Sequence, residues 1–269
     1  MTRPYAEVIG DPIGHSKSPL IHNFWLEKLG IDAEYRACHV RPEELADYFT
    51  RRRGDADWRG CNVTIPHKEA VLPFLDTVTC DAQAIGAVNT IRRSEDGRLN
   101  GRNTDVNGIW RATDDAAITG ERLLLIGAGG AARAAAFALG KRDPAFVTIM
   151  NRSVDKAEEL LAEFRLLGAA VPIGTAPSVQ LIVNATSLGM KGQPPLPVAI
   201  DALPATATVF DMVYVPLETK LLHEARKRGL RAVDGLVMLI EQADEAFGAF
   251  FNTAPPRQHD AELRALLTS

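Results

Sequence analysis

The sequence predicts an α/β protein with two domains, each a sheet covered by helices. Strand-like and helix-like stretches alternate along most of the 269 residues, which is typical of sheets with helices on their faces. The pattern restarts at Glu121, where a short apolar stretch precedes a glycine turn and an alanine-rich helix. The second sheet is complete by residue 235. We therefore expect the last helices to return to the first domain.

The first half of the chain alternates short strands with amphipathic helices. Strands are predicted at 5–10, 33–40, 60–66 and 87–93, and helices at 18–30 and 42–53. Gly30 is expected to end the first helix. Ser18 stands before Pro19 and is the predicted N-cap of that helix. Capping explains only one of two neighbouring serines, so Ser16 is a candidate for ligand binding.

The second half has the pattern of an open parallel sheet. A strand, a turn and a helix are predicted within 122–140, strands at 145–153, 180–187, 207–214 and 230–235, and helices at 154–164, 219–229 and 236–251. The predicted domains are residues 1–105 with 236–269, whose sheet is mostly parallel, and residues 106–235, whose sheet is doubly wound.

Composition excludes several classes of protein. The formal net charge of −4 gives no broad basic field for nucleic acid, and the sequence has no run of about 18 apolar residues for a membrane span. The three cysteines are far apart and odd in number, so we expect reduced thiols in a cytoplasmic protein. No ligand spacing of the zinc type occurs, and no metal site is expected.

The glycine turn at residues 127–132 fits the G-x-G-x-x-A pattern of a Rossmann domain. It follows an apolar strand and opens a helix, which is the context that dinucleotide binding requires. Gly127 permits the tight turn, Gly129 lets the backbone approach a pyrophosphate, and Ala132 lets the helix pack closely on the strand. The alternative is a glycine turn that serves packing alone.

The end of the next strand indicates which dinucleotide binds. An NAD-binding domain usually places an acidic residue there, to hold the ribose 2′-hydroxyl. This chain has Asn151 and Arg152 instead, with Lys156 one helical turn later. Because a guanidinium and an ammonium attract a 2′-phosphate, the sequence predicts NADP. The alternative is an ordinary surface arginine near the start of a helix.

Polar side chains at strand ends in the first domain are candidates for proton transfer. Reduction of a carbonyl by hydride requires an acid that donates a proton to the oxygen. Lys68 could be this acid with Asp105 as its orienting partner, and Thr64 and Asn89 lie at similar positions. Alternatively, Lys68 is solvated and Asp105 caps a helix. Histidine has a more suitable ordinary pKa for an acid than lysine, so spacing alone does not decide whether His67 or Lys68 is the proton donor.

Several motifs occur together in one order along residues 10–247. They are GDPIGHSKSPLIHN, GCNVTIPHKEA, GAVNTI, GRNTDVNGI, LLIGAGGAARA, NRSVDKA, IVNATSLGM, VFDMVYVPLETKLL and DGLVMLIEQADEAF. Together they resemble the shikimate dehydrogenase family. The resemblance implies reversible reduction of 3-dehydroshikimate to shikimate with NADPH, in aromatic amino-acid biosynthesis, by a monomer or homodimer.

The resemblance implies that residues 1–105 with 236–269 form the substrate-binding, catalytic domain and that residues 106–235 form the NADP-binding Rossmann domain. It also implies the roles of individual residues. Lys68 and Asp105 match the catalytic pair of the family, and His67 is only a neighbour. The implied substrate-binding residues are Ser16 and Ser18 for the carboxylate, Thr64, Asn89 and Gln242 for the ring hydroxyls, and Tyr214 near the carboxylate. The implied cofactor-binding residues are Gly127, Ala128, Gly129, Gly130, Ala131, Asn151, Arg152, Lys156, Thr186, Met212 and Gly235.

Two other functions fit the same motifs. One is a quinate/shikimate dehydrogenase that uses NAD or NADP; the serine pair and the basic residues favour shikimate and NADP. The other is a non-catalytic regulatory protein that binds NADP, against which the presence of both Lys68 and Asp105 argues.

Overall fold

The structure, a computed structural model, describes residues 3–174 and 177–268. The chain forms two compact units, Met1–Thr104 with Ile240–Ser269, and Asp105–Leu239. Each unit contains a six-stranded sheet with helices, so the predicted α/β fold class is confirmed. The assignment of substrate to one predicted domain and cofactor to the other stays a prediction.

The first unit is built on a mixed sheet. Its strands are β1 (Tyr5–Gly10), β2 (Glu34–His39), β3 (Trp58–Val63), β4 (Thr77–Val78), β5 (Thr90–Arg93) and β6 (Leu99–Arg102), in the order β2-β1-β3-β5-β6-β4. The pairs β1–β2, β1–β3 and β4–β6 are parallel, whereas β5 runs antiparallel to β3 and β6. Strands β4 and β6 were not predicted, because both are short and lack a clear apolar pattern.

Helices cover both faces of this sheet. They include α1 (Ser18–Leu29), α2 (Leu45–Arg53) and the short α3 (Cys80–Ile85). Alternate residues of β1 point to opposite faces: Tyr5 and Ile9 join a core with Tyr48 and Phe49 of α2. Ala6 and Val8 join a second core with Phe250 from the C-terminal part of the chain.

The predicted N-cap of α1 is wrong by one residue. Lys17 precedes the helix and Ser18 is its first residue. The carbonyl of Lys17 already accepts the N–H of Ile21 at 3.2 Å, so helical hydrogen bonding starts one position earlier. The side chain with a local bond is Ser16, whose Oγ accepts the N–H of Ser18 at 3.3 Å.

The second unit has the strand order of a doubly wound fold. Its strands are β7 (Arg122–Ile126), β8 (Phe146–Met150), β9 (Gly168–Val171), β10 (Leu181–Asn184), β11 (Thr208–Asp211) and β12 (Arg231–Val233), and its helices are α4 (Asp105–Ala112), α5 (Gly130–Gly140), α6 (Val154–Glu163) and α7 (Lys220–Lys227). The order is β12-β11-β10-β7-β8-β9, with every pairing parallel. Ligands of such sheets bind at the carboxyl ends of the strands, where the strand order reverses.

The last two helices are α8 (Gly235–Phe251) and α9 (Asp260–Thr268). From Ile240 onward this part of the chain belongs to the first unit, as predicted for the C-terminal helices. Arg257, just before α9, pairs with Glu241 and Asp244 of α8 and with Asp260. In the part of the chain that the structure describes, no helix has the length and apolar character to span a bilayer.

Candidate active site

The glycine turn joins β7 to α5 and has the geometry of a dinucleotide site. Gly127 has φ +112°, and a Cβ there would lie 3.0 Å from Cγ2 of Thr186. Gly127 is therefore required by its own conformation and by a close neighbour. A Cβ on Gly129 would meet nothing within 4 Å. No protein neighbour explains glycine at that position, whereas a pyrophosphate close to the backbone does.

The N-terminus of α5 is accessible to such a ligand. Ala128, Gly130 and Ala131 are half-buried, Gly129 is exposed, and Ala132 behind them is fully buried. The amides that open the helix carry its partial positive charge, which favours phosphate. This part of the second unit therefore fits the pyrophosphate of a dinucleotide.

The basic residues after β8 lie at the same sheet edge as the glycine turn. The N–H of Gly127 donates to the carbonyl of Met150, the last residue of β8, at 2.8 Å. Asn151 follows, and its Nδ2 donates to the carbonyl of Ser153 at 2.9 Å. Arg152 and Lys156 are exposed. Neither forms an ion pair with a carboxylate of the described residues, so both charges can attract an anion.

A buried hydrogen-bond network joins the ends of β10 and β11. Asp211 accepts hydrogen bonds from Nδ2 of Asn184 at 2.9 Å, from the N–H of Val213 at 3.0 Å and from Oγ1 of Thr219 at 2.7 Å. Asn184 in turn accepts the Thr186 hydroxyl at 2.7 Å. Burial raises the pKa of the Asp211 carboxyl. The network holds Thr186, a predicted cofactor residue, and the backbone that follows β11.

Met212 and Gly235, both predicted to bind the cofactor, are in close contact. A Cβ on Gly235 would lie 2.3 Å from the carbonyl oxygen of Met212. Only glycine allows this approach of the start of α8 to the end of β11. The structure thus brings two of the predicted cofactor residues together.

In the first unit, Asn89 and Gln242 meet through Thr104. Thr104 donates its N–H to Oδ1 of Asn89 at 2.7 Å, and Nδ2 of Asn89 donates back to Oγ1 of Thr104 at 3.0 Å. The Thr104 hydroxyl also lies 3.4 Å from Oε1 of Gln242 on α8. Asn62 and Thr90 continue this buried cluster behind Asn89. Two residues predicted to bind the ring hydroxyls therefore share one hydrogen-bonded neighbour.

The loop after β3 carries Thr64 and Lys68. Thr64 donates its N–H to the carbonyl of Ile9 at 2.9 Å, and the carbonyl of Lys68 accepts the N–H of Val88 at 2.8 Å. Lys68 is half-buried. His67 is fully buried, with Nε2 at 2.6 Å from the carbonyl of Val40. Its burial and backbone contact support a structural role for His67.

The serine pair lies at the start of α1. Ser18 is buried and Ser16 is half-buried. The bond between Ser16 Oγ and the Ser18 N–H holds the two hydroxyls in one short turn. Their role in binding a carboxylate stays a prediction.

Asp105 and Tyr214 belong to the second unit. Asp105 is the first residue of α4 rather than a residue before it, and its side chain is buried. Burial raises the pKa of the Tyr214 phenol, which keeps it protonated and able to donate a hydrogen bond. That Lys68 and Asp105 act as a pair stays a prediction. Within the described ranges, no group of three His, Cys, Asp or Glu side chains is arranged to hold a metal ion.

Sequence reasoning missed the residues that hold the predicted site residues in place. In the first unit these are Asn62, Thr90 and Thr104, and in the second Asn184 and Asp211. The signal was available for some of them. Thr104 lies between Asn103 and Asp105 in a motif already singled out, and Asn184 and Asp211 are the polar last residues of buried strands.

Comparison with known proteins identifies the family. Residues 8–91 match the family model described as the shikimate dehydrogenase substrate binding domain, and residues 111–178 match the one described as shikimate / quinate 5-dehydrogenase. The chain is 52% identical to the shikimate dehydrogenase (NADP(+)) of Sphingopyxis alaskensis, over 99% of this chain and 97% of that protein. The chain belongs to the shikimate dehydrogenase family.

Solved structures agree with the membership of the shikimate dehydrogenase family. Shikimate 5-dehydrogenase from Thermus thermophilus, in complex with NADP(H) and shikimate, matches with a TM-score of 0.88 and 37% identity, over 98% of this chain and 99% of that one. A 5-ketofructose reductase from a Gluconobacter species also has a TM-score of 0.88, at 30% identity and 99% coverage of both chains. The fold alone therefore does not define the substrate.

Proposed function

We propose that this chain is an NADP-dependent shikimate dehydrogenase, which reduces 3-dehydroshikimate to shikimate reversibly in aromatic amino-acid biosynthesis. The observation that carries this proposal is the 52% identity, over nearly the full length of both chains, to a relative of that name. The polar residues of the first unit and the glycine turn of the second agree with it.

The serine pair and the amide cluster of the first unit are assigned to recognition of the substrate. Ser16 and Ser18 offer two hydroxyl donors, which suit a carboxylate. The cluster of Asn89, Thr104 and Gln242 offers amide groups for ring hydroxyls, and its internal hydrogen bonds fix their orientation. A site built to bond hydroxyls discriminates strongly against analogues that lack them, because its buried polar groups are then left unpaired.

Binding of NADP is assigned to the second unit. The amides after Gly127 would hold the pyrophosphate, and Arg152 with Lys156 would hold the 2′-phosphate, which is absent from NAD. Thr186, Met212 and Gly235 would lie beside the nicotinamide. When bound, NADPH supplies the hydride for reduction of the ring ketone.

Lys68 is assigned the proton transfer. As hydride reaches the carbonyl carbon, the Lys68 ammonium would donate a proton to the oxygen, and in the reverse direction the amine would accept it. Asp105 would orient this ammonium and favour its charged form. The ammonium polarises the carbonyl, so the step needs no metal ion.

The direct test is a spectrophotometric assay of the purified chain. Shikimate with NADP should reduce the cofactor, with kcat/KM well above that for shikimate with NAD. Quinate is the matched substrate control, because the second family model covers both substrates. Preference for quinate or for NAD would favour the quinate/shikimate dehydrogenase. Binding of NADP without turnover of either substrate would favour the non-catalytic regulatory homologue.

We further propose that the enzyme works in the cytoplasm as a monomer or homodimer. Its three cysteines all lie within the described residues and are free thiols, which suits a reducing compartment. Fractionation of cells and light scattering of the purified protein test the two statements separately.

A further inference from the structure

Lys17 stands between the two serines, and its ammonium contacts the end of the last helix. Nζ of Lys17 donates a hydrogen bond to the carbonyl oxygen of Leu267, a residue 250 positions away. Leu267 lies in the final turn of α9, where carbonyls have no partner within the helix and the helix dipole is negative. The ammonium therefore caps α9 at its C-terminus.

Helix α9 offers a firm support for this contact. It lies along α1 in the opposite direction, because Lys28 near the end of α1 pairs with Glu262 near the start of α9 at 2.8 Å. The ring of Phe24 meets His259 edge-on. Leu263 and Leu267 of α9 are buried. The end of α9 is thus fixed against the helix that the serine pair opens.

Three hydrogen bonds, besides the contact of Lys17 with α9, hold the turn formed by residues 16–18, the serine turn. The N–H of Ser16 donates to the carbonyl of Ile13 at 3.1 Å, and that of Ser18 donates to Oγ of Ser16. The carbonyl of Lys17 accepts the N–H of Ile21. These bonds are local and set the shape of the turn. The side chain of Lys17 ties the turn by a hydrogen bond to a distant part of the first unit.

We infer that Lys17 is a positioning residue for the substrate carboxylate, and that it acts through α9. The ammonium stays on the end of α9, and the two serine hydroxyls on either side of it are thereby held in place for the carboxylate. The last helix of the chain becomes part of the substrate site without touching the substrate. This inference rests on the proposed function, in which Ser16 and Ser18 bind shikimate.

Steady-state kinetics with shikimate and NADP test the inference. Lys17→Met removes the ammonium and keeps the side-chain stem, and Lys17→Arg restores a cation that can reach the same carbonyl. We expect Lys17→Met to raise KM for shikimate roughly tenfold, the loss expected when one hydrogen bond to a charged group is weakened. Its kcat and its KM for NADP should stay close to wild type, and Lys17→Arg should restore KM.

A second pair of variants perturbs α9 and leaves Lys17 intact. Ala265 is exposed near the end of α9, where proline breaks the last turn and displaces the Leu267 carbonyl. Ala261 lies in the first turn of the same helix, where proline is tolerated. Ala265→Pro should raise KM for shikimate as much as Lys17→Met does, and Ala261→Pro should leave it unchanged.

The double variant with Lys17→Met and Ala265→Pro separates action through α9 from direct contact with the substrate. If Lys17 acts through α9, the double variant should have the same KM for shikimate as either single variant. The inference is overturned if the two increases in KM for shikimate multiply in the double variant. It is also overturned if Ala265→Pro leaves this KM unchanged while Lys17→Met raises it. So would a wild-type KM in Lys17→Met. A wild-type chain that does not oxidise shikimate would instead contradict the proposed function, and this inference with it.

Discussion

His22 gives the first unit a specific sensitivity to acid. Its ring is fully buried and stacks on Tyr35, with ring centroids 4.0 Å apart and planes at 4°. Neither ring nitrogen has a hydrogen-bond partner in the part of the chain that the structure describes. Burial without a partner disfavours the charged ring, and it lowers the pKa of His22 from 6.5 to about 3.

Because of this lowered pKa, the free energy of unfolding decreases as the pH falls below 6.5. Between pH 6.5 and about 3 the unfolded chain binds a proton at His22 that the folded chain excludes, so stability rises with pH in this window. Each pH unit contributes about 1.4 kcal/mol. At pH 5 the folded chain should therefore have lost about 2 kcal/mol through His22, relative to pH 7.5.

The variant His22→Leu should abolish this contribution. Leucine has a similar volume and no titratable group, so the core position stays filled. Urea unfolding, followed by tryptophan fluorescence, would measure the free energy of unfolding at pH 7.5 and pH 5. Trp25 and Trp58 are both buried in the first unit and report on it. Between pH 7.5 and pH 5, the free energy of unfolding of the variant should rise by about 2 kcal/mol relative to that of wild type.

His15→Leu serves as the control, because His15 is exposed. Its unfolding should follow the pH dependence of wild type. If His22→Leu loses as much stability as wild type between the two pH values, the argument from burial is refuted.

Three further predictions concern the site. Lys68→Ala should lower kcat by roughly 10²–10⁴ with a modest change in KM for shikimate, as expected for loss of a general acid; a near-normal kcat would contradict that role. Arg152→Ala should raise KM for NADP far more than KM for NAD, and equal changes would refute a contact with the 2′-phosphate. Asp211→Asn should destabilise the chain by about 1–3 kcal/mol in thermal or urea unfolding, because an NH2 group replaces one carboxylate oxygen and at least one of the three donors loses its acceptor, and it should also raise KM for NADP. Wild-type stability in Asp211→Asn would show that the network at the ends of β10 and β11 does not depend on the carboxylate.

Local signals in the sequence were sufficient for the larger elements. The apolar run of β7, the turn at Gly127 and the start of α5 each depend on residues within a few positions, and so does β1, predicted at 5–10 and found at Tyr5–Gly10. The missed elements carry less local information. Strand β4 has only two residues. Strand β9, at the edge of its sheet, is made mostly of glycine and alanine and so lacks an apolar run or alternation. Helix α3 was missed although Thr79 caps it and Gly86 ends it in a left-handed conformation.

The sequence by itself determined the two α/β units, the glycine turn and the basic residues that follow β8, because each depends on neighbours along the chain. Only the tertiary structure decided which polar groups meet. Thr104 and Gln242 are 138 positions apart and lie 3.4 Å from each other, and Lys17 reaches Leu267 across 250 positions. A hydrogen bond forms over a few ångströms in a fixed direction, so its partners follow from how helices and strands pack.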